Sequence, residues 1–167
     1  AFKLYSEAAN KGYAPAQNNL GMMYIVGEWG KNDKEAVKWF SKAAEQKNSE
    51  GEYRLGMCYL MGRGVEKDNL KAVTWFRRSA EQGHYLAAHE LGTYYYRKFD
   101  RAKAVDWYRK AAKKGYANSQ YTLGFMYFRG LGVDKDDKEA ERWWRAAANS
   151  GNEWARKGLL ELGVKIK

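Results

Sequence analysis

The sequence has few of the residues that build disulfides, rigid linkers and metal sites. Its 167 residues include one Cys, one Pro and two His. Because Cys58 stands alone, it cannot form an internal disulfide, and a single proline excludes a proline-rich linker. His84 and His89 are five residues apart, which does not match the i, i+4 pair of a helical zinc site. We therefore expect no metal ion and no cofactor.

The sequence also contains no long apolar run and no familiar catalytic motif. The longest stretch without a charged residue, from Gly12 to Gly27, contains Pro15 and several amide side chains, so it is not a membrane span. A Gly-x-Ser-x-Gly nucleophile elbow and a Gly-Lys-Ser/Thr phosphate loop are both missing. The chain starts at Ala1 without an apolar leader, which we interpret as a mature, trimmed or partial sequence. These features predict a protein that is not an enzyme.

The residues that are abundant form an internal repeat of 32 to 36 residues. A Leu-Gly pair with a Tyr four residues after the Leu recurs four times, and so does a Trp followed by an aromatic residue. The Leu-Gly pairs begin at Leu20, Leu55, Leu91 and Leu123, and the Trp residues are Trp39, Trp75, Trp107 and Trp143. Two independent columns in register indicate a repeat protein, which must be recognised before any other assignment.

Each repeat is predicted to form two helices. In the first helix, the Leu, Gly and Tyr lie on one face, and the small Gly permits a second helix to approach closely. A Gly-x-Gly loop and then a helix-capping residue follow the first helix. The capping residues are Asn32, Asp68, Asp100 and Asp136. The third repeat lacks four residues, including the Gly-x-Gly loop, so it should form a tighter hairpin.

These columns resemble the Sel1-like repeat family, whose members are α/α solenoids related to tetratricopeptide repeats. The match is clearest from Leu55 through Gly62-Arg63-Gly64, Asp68 and Trp75 to Gly83. The resemblance implies an all-α, right-handed superhelix of about four helix pairs with a half repeat at each end. The repeats are expected at residues 14–48, 49–85, 86–116 and 117–151, with a half repeat at 1–13 and a cap helix at 152–167.

The family resemblance also implies a function, which is non-enzymatic scaffolding or adaptor activity towards another protein. A narrower possibility is an immunity protein that inhibits a toxic effector. The resemblance slightly favours a periplasmic or secreted location over a cytoplasmic one. Cys58 alone cannot supply the disulfide per repeat that one branch of the family carries.

A second stripe on the first helices is predicted to line a concave, protein-binding groove. This stripe lies about 110° from the packing face of the helix. It contains the residues at three positions relative to each repeat Leu: two residues before it, two residues after it and five residues after it. Most of these side chains are apolar or aromatic, as expected of a contact surface; the alternative is that neighbouring repeats bury them. The twelve residues are Asn18, Met22, Ile25, Tyr53, Met57, Leu60, His89, Thr93, Tyr96, Tyr121, Phe125 and Phe128.

The net charge of +10 is concentrated in the third repeat. Residues 97–114 contain eight basic side chains against two acidic ones, a field that would steer an acidic protein partner. The alternative for this basic patch is a merely solvated helix face. Nucleic-acid binding is the rival function, although interspersed acidic residues make it the weaker one. The patch comprises Arg97, Lys98, Arg101, Lys103, Arg109, Lys110, Lys113 and Lys114.

Overall fold

The computed structural model describes residues 2–27 and 30–165, and in these two ranges it contains ten α-helices and no β-strand. A nine-residue helix stands at each end, and eight helices of thirteen residues lie between them. The helices are α1 (Phe2–Asn10), α2 (Ala14–Val26), α3 (Asp33–Glu45), α4 (Ser49–Met61), α5 (Asn69–Glu81), α6 (Tyr85–Arg97), α7 (Arg101–Lys113), α8 (Ala117–Arg129), α9 (Asp137–Asn149) and α10 (Glu153–Glu161).

The chain divides into two compact units, which we describe separately. Unit 1 comprises Ala1–His84 and unit 2 comprises Tyr85–Lys167. In unit 1, α1 packs on α2, α2 pairs with α3, α3 packs on α4, and α4 pairs with α5. In unit 2, α6 pairs with α7, α7 packs on α8, α8 pairs with α9, and α9 packs on α10. Each unit therefore consists of two antiparallel hairpins stacked in sequence order and one additional terminal helix.

The four Leu-Gly glycines lie where the two helices of a hairpin approach most closely. A methyl group placed at Gly56 would lie 2.7 Å from two ring carbons of Phe76, and one at Gly92 would lie 2.6 Å from the ring of Tyr108. Gly21 faces Phe40 and Gly124 faces Trp144 in the same way. The aromatic ring of the second helix thus occupies the space that a side chain on the first helix would need. Sequence reasoning predicted this role for the glycine column.

The predicted capping residues begin the second helices. The Asn32 side-chain oxygen accepts a hydrogen bond from the Glu35 N–H, and Asp68 accepts bonds from the N–H groups of Leu70 and Lys71. Asp100 and Asp136 cap α7 and α9 equivalently. Because a helix leaves its first N–H groups unpaired, these four caps fix where each second helix starts.

The connection between the two helices of the third hairpin is shorter than in the neighbouring hairpins, as the missing four residues predict. Only residues 98–100 join α6 to α7, whereas residues 130–136 join α8 to α9. The first helices of the other three hairpins end on glycines with positive φ, namely Gly27, Gly62 and Gly130. After α6, the left-handed position is taken by Phe99, with φ of 60°.

Candidate functional site

The residues that the sequence predicts for a binding groove are distributed between two environments. Asn18 and Tyr53 are buried, and the other ten predicted residues are half-buried. Those ten are Met22, Ile25, Met57, Leu60, His89, Thr93, Tyr96, Tyr121, Phe125 and Phe128. The structure therefore leaves part of the stripe accessible and places part of it in contacts between helices.

The column two residues before each repeat Leu is engaged in packing. Asn18 donates a hydrogen bond from Nδ2 to Oδ1 of Asn48, at 2.7 Å, and Asn48 itself caps α4. Tyr53 is only 9% exposed and stacks on the imidazole of His84, with 4.7 Å between ring centroids. For this column the structure favours the alternative of burial between hairpins over an open surface.

The same column in unit 2 carries a half-buried histidine. His89 Nδ1 lies 2.8 Å from Ser119 Oγ, and its ring contacts the rings of Tyr108 and Tyr116. Burial lowers the pKa of His89 to about 4, because the charged imidazolium would lose its hydration. His89 is therefore neutral at physiological pH and acts as a packing residue with a hydrogen bond.

An open cleft of about 190 Å³ lies on unit 1 between α2 and α4. Four of its lining residues were predicted from the sequence: Met22, Ile25, Tyr53 and Met57. Five others line it as well, and sequence reasoning did not assign them to the site: Phe40, Arg54, Cys58, Met61 and Arg63. The spacing from Met57 to Met61 is a further i, i+4 step on the same helix face, which could have identified Met61.

Methionines make the wall of this cleft adaptable, and two ion-paired arginines line it. Met61 is 56% exposed, so its thioether reaches solvent beside the cleft. The side chains of Arg54 and Arg63 are each about one-third exposed, and they pair with Glu50 and Asp33 respectively. Thioether side chains repack readily around different apolar groups, so the cleft can accommodate an apolar side chain.

The cysteine in the wall of the cleft is not an activated nucleophile. Cys58 is buried in its wall, and desolvation raises the pKa of this thiol to about 11. The nucleophilic form of cysteine is the thiolate, so Cys58 is protonated and unreactive at neutral pH. Within residues 2–27 and 30–165, no group of three His, Cys, Asp or Glu side chains is arranged to hold a metal ion.

In unit 2 the predicted groove residues lie against aromatic neighbours. Phe125 and Phe128 pack against the buried cluster around Trp144, together with Tyr121. Thr93 Oγ1 lies 3.1 Å from the Tyr108 hydroxyl, and Tyr96 lies beneath the Arg101 guanidinium. These side chains keep some exposed surface, but they also complete the packing of the unit.

The predicted basic patch is mostly exposed and only partly neutralised. Arg101 and Arg109 are half-buried, and the other six members are exposed. Lys103 pairs with Asp100 at 2.8 Å and Arg109 with Asp106 at 3.0 Å, so each acidic residue of the segment is already engaged. The exposed members are Arg97, Lys98, Lys103, Lys110, Lys113 and Lys114.

Basic side chains form cation–π contacts with the repeated Trp residues, a feature that sequence reasoning missed. The ammonium or guanidinium three residues after the Trp lies over the indole ring in the first three hairpins, for example Lys42 over Trp39 at 4.2 Å and Lys110 over Trp107 at 3.8 Å. Arg78 covers Trp75 in the same way. Residues three apart are neighbours on a helix, so this spacing was readable from the sequence.

Antiparallel hairpins in sequence order, with a glycine facing an aromatic ring in each, define an α/α helical-repeat protein. The Sel1 repeat family model matches residues 1–13, 14–48, 49–84, 85–116 and 117–152. The chain belongs to the Sel1 repeat family. The family resemblance and the all-α solenoid class inferred from the sequence are both confirmed.

Solved structures with this fold include proteins of different kinds. The chain is 36% identical to c5321, a protective antigen of uropathogenic Escherichia coli, with a TM-score of 0.90 over 95% of this chain and 36% of that one. It is 34% identical to a Sel1 repeat protein from Oxalobacter formigenes, with a TM-score of 0.89 over 95% and 47% of the two chains. It is 27% identical to the immunity protein PA5088 from Pseudomonas aeruginosa, with a TM-score of 0.65 over 92% and 58%.

The chain therefore spans less than half the length of the first two of these proteins. A comparison with curated proteins gave no match. None of the helices in the described parts of the chain combines the length and the apolar character that crossing a membrane requires.

Proposed function

We propose that the chain is a non-enzymatic scaffold that binds a segment of another protein in the cleft of unit 1. The observation that carries this proposal is the apolar cleft itself, because its Met22, Ile25 and Met57 walls remain accessible after the hairpins have packed. Unit 1 already has buried clusters around Leu20 and Phe40, and an accessible apolar cleft beyond them is typical of a binding site.

The occupant that fits best is an apolar anchor side chain with carboxylates beside it. Met22, Met57 and Met61 would surround the anchor, and methionine contacts tolerate anchors of different shape. Arg54 and Arg63 would receive the carboxylates in competition with Glu50 and Asp33. An acidic, apolar segment of the partner protein satisfies both requirements.

A charge-introducing substitution in the cleft tests this proposal. The partner is first isolated from extracts of the source organism and purified, and its Kd is then measured by calorimetry for each variant. Met57→Glu places a carboxylate where the anchor would bury, so we expect the Kd to rise by more than about thirtyfold. Leu70→Glu is the matched control, because Leu70 is 71% exposed on α5 and does not line the cleft. Equal Kd values for both variants would refute binding in the cleft.

A narrower form of the proposal is that the bound protein is a toxic effector. The similarity to the immunity protein PA5088 supports this form. Co-expression with an effector encoded beside this gene provides the test, with growth as the readout. We expect the wild-type chain to restore growth and Met57→Glu to fail, and a lack of rescue by the wild type would refute the immunity role.

A further inference from the structure

The connection 98–100 and the helical residue on each side of it, together called the 97–101 loop, expose a large aromatic side chain in an unfavourable backbone conformation. Phe99 is 82% exposed and has φ of 60°, in the left-handed region that bulky residues rarely adopt. The first helices of the other three hairpins place Gly27, Gly62 and Gly130 in this conformation. Phenylalanine at this position therefore costs conformational energy and buries little of its ring in return.

The ring of Phe99 is nevertheless held by its neighbours in the loop. The Arg101 guanidinium lies over two aromatic rings, 3.5 Å from the centroid of Tyr96 and 5.3 Å from that of Phe99. A hydrogen bond from the Asp100 N–H to the Tyr95 carbonyl closes the turn. Arg101 thus supports one side of the exposed ring and keeps a cation directly beside it.

Exposed cations continue from this loop along α7. Arg97 and Lys98 precede Phe99 and are exposed. Lys103, Lys110 and Lys114 are spaced by seven and four residues, which places them on one face of the helix. In sequence, the exposed ring of Phe99 therefore stands between two exposed cations before it and a helix face with three exposed lysines after it.

We propose that the 97–101 loop and this face of α7 bind the surface of an anionic lipid bilayer, with Phe99 inserted at the level of the headgroups. An aromatic ring flanked by basic side chains suits the membrane interface, because the ring enters the apolar boundary while the cations contact anionic headgroups. A bilayer needs no preformed socket for the ring, unlike a protein partner. A nucleic acid would need a series of stacking platforms, and this loop offers a single exposed ring. The site is separate from the unit 1 cleft, so it stands independently of the proposed function.

Co-sedimentation with vesicles tests this proposal. The full chain is mixed with vesicles of phosphatidylcholine alone, or with about one-third phosphatidylglycerol, at near-physiological salt. We expect binding to the anionic vesicles only, lost when salt is raised to about 1 M, where charges are screened within roughly 3 Å. Failure of the wild-type chain to bind the anionic vesicles would overturn the proposal.

The decisive variant is Phe99→Gly, because it removes the ring and also relieves the backbone strain. We expect it to fold with an equal or higher thermal midpoint, yet to bind anionic vesicles about tenfold more weakly. Leu160→Ser is the matched control, since Leu160 is also an exposed apolar side chain of unit 2, at 62%, and it should leave binding unchanged. Lys98→Gln should weaken binding about fivefold.

Three further results would also overturn the proposal. Phe99→Gly could bind vesicles as well as the wild type, which would leave only a diffuse electrostatic attraction. Leu160→Ser could weaken binding as much as Phe99→Gly, which would remove the assignment to this loop. The wild type could prefer a single-stranded oligonucleotide to the vesicles, with the preference lost in Phe99→Gly, and the ring would then be a base-stacking platform.

Discussion

Substitution of Gly56 by Ala tests whether the glycine column determines how closely the helices of a hairpin pack. In an isolated helix this change is favourable by about 0.5–1 kcal/mol, because alanine restricts the unfolded chain and shields the backbone. In this protein the new methyl group would lie 2.7 Å from two carbons of the Phe76 ring and 3.3 Å from the Ala72 carbonyl oxygen. Phe76 is 2% exposed, so its ring has little space into which it can move.

The expected net effect is a loss of stability. Overpacking a tight core costs about 1–3 kcal/mol, which exceeds the gain in helix propensity. We therefore expect Gly56→Ala to lower the free energy of unfolding by about 1–2 kcal/mol, measured by urea denaturation with circular dichroism on the full chain.

A double-mutant cycle shows whether the Phe76 ring is the cause. Phe76→Ala alone should cost about 3–5 kcal/mol, because it opens a cavity. In that background the methyl group at position 56 no longer meets a ring, so Gly56→Ala should become neutral or stabilising. The coupling energy between the two substitutions should then be about 2 kcal/mol. A stabilising effect of Gly56→Ala in the wild-type background, or a coupling energy near zero, would refute the close-approach argument.

Three further predictions concern single positions. Lys47 follows α3 with φ of 58°, in the left-handed region that glycine adopts without strain. Lys47→Gly should therefore raise the free energy of unfolding, measured by urea denaturation, by about 0.5–1 kcal/mol. A decrease would show that the lysine backbone is not strained. Glu52 is 1% exposed and forms an ion pair with Arg78, and desolvation raises its pKa. Burying the ionised carboxylate therefore lowers the free energy of unfolding. This loss is complete above the folded-state pKa of Glu52 and absent below its unfolded-state pKa. Glu52→Gln should therefore stabilise the chain at pH 7 but not at pH 4, and destabilisation at pH 7 would mean that the ion pair is net favourable. The pKa of His89 is lowered to about 4. As the pH falls from 6.5 to 4, the free energy of unfolding of the wild type should therefore decrease by up to about 3 kcal/mol relative to that of His89→Gln. Parallel profiles of stability against pH for the two proteins would contradict this.

Local patterns in the sequence identified the repeat, its capping residues and its close-packing glycines. These features depend on contacts within one hairpin, where helix spacing determines which residues meet. Asp68 caps α5 and Gly56 faces Phe76, as their columns predict. The shortened third hairpin was also predictable, because a deletion between two fixed columns must shorten the loop between them.

The candidate site was only partly predictable, because it depends on how neighbouring hairpins pack. The stripe beside the packing face includes both Asn18, which is buried and hydrogen-bonded to Asn48, and Met22, which lines the open cleft. Both lie on the same helix, and periodicity cannot separate a residue covered by the next hairpin from one left open. The environment of Arg63 was equally inaccessible, since its ion pair with Asp33 joins two hairpins.

Departures from the internal pattern show where this chain differs from a generic stack of hairpins. Where the pattern is kept, as at Gly56 and Asp68, packing or capping within the hairpin explains the residue. The left-handed position after α6 breaks the pattern, because Phe99 occupies it and neither stability nor solubility favours an exposed ring there. Natural sequences tend to violate local rules at functional sites. A repeat protein supplies its own reference for such violations, because its other hairpins show which residue types end a helix in the left-handed conformation, and an exposed aromatic ring that takes this conformation at an energetic cost is a place to look for function.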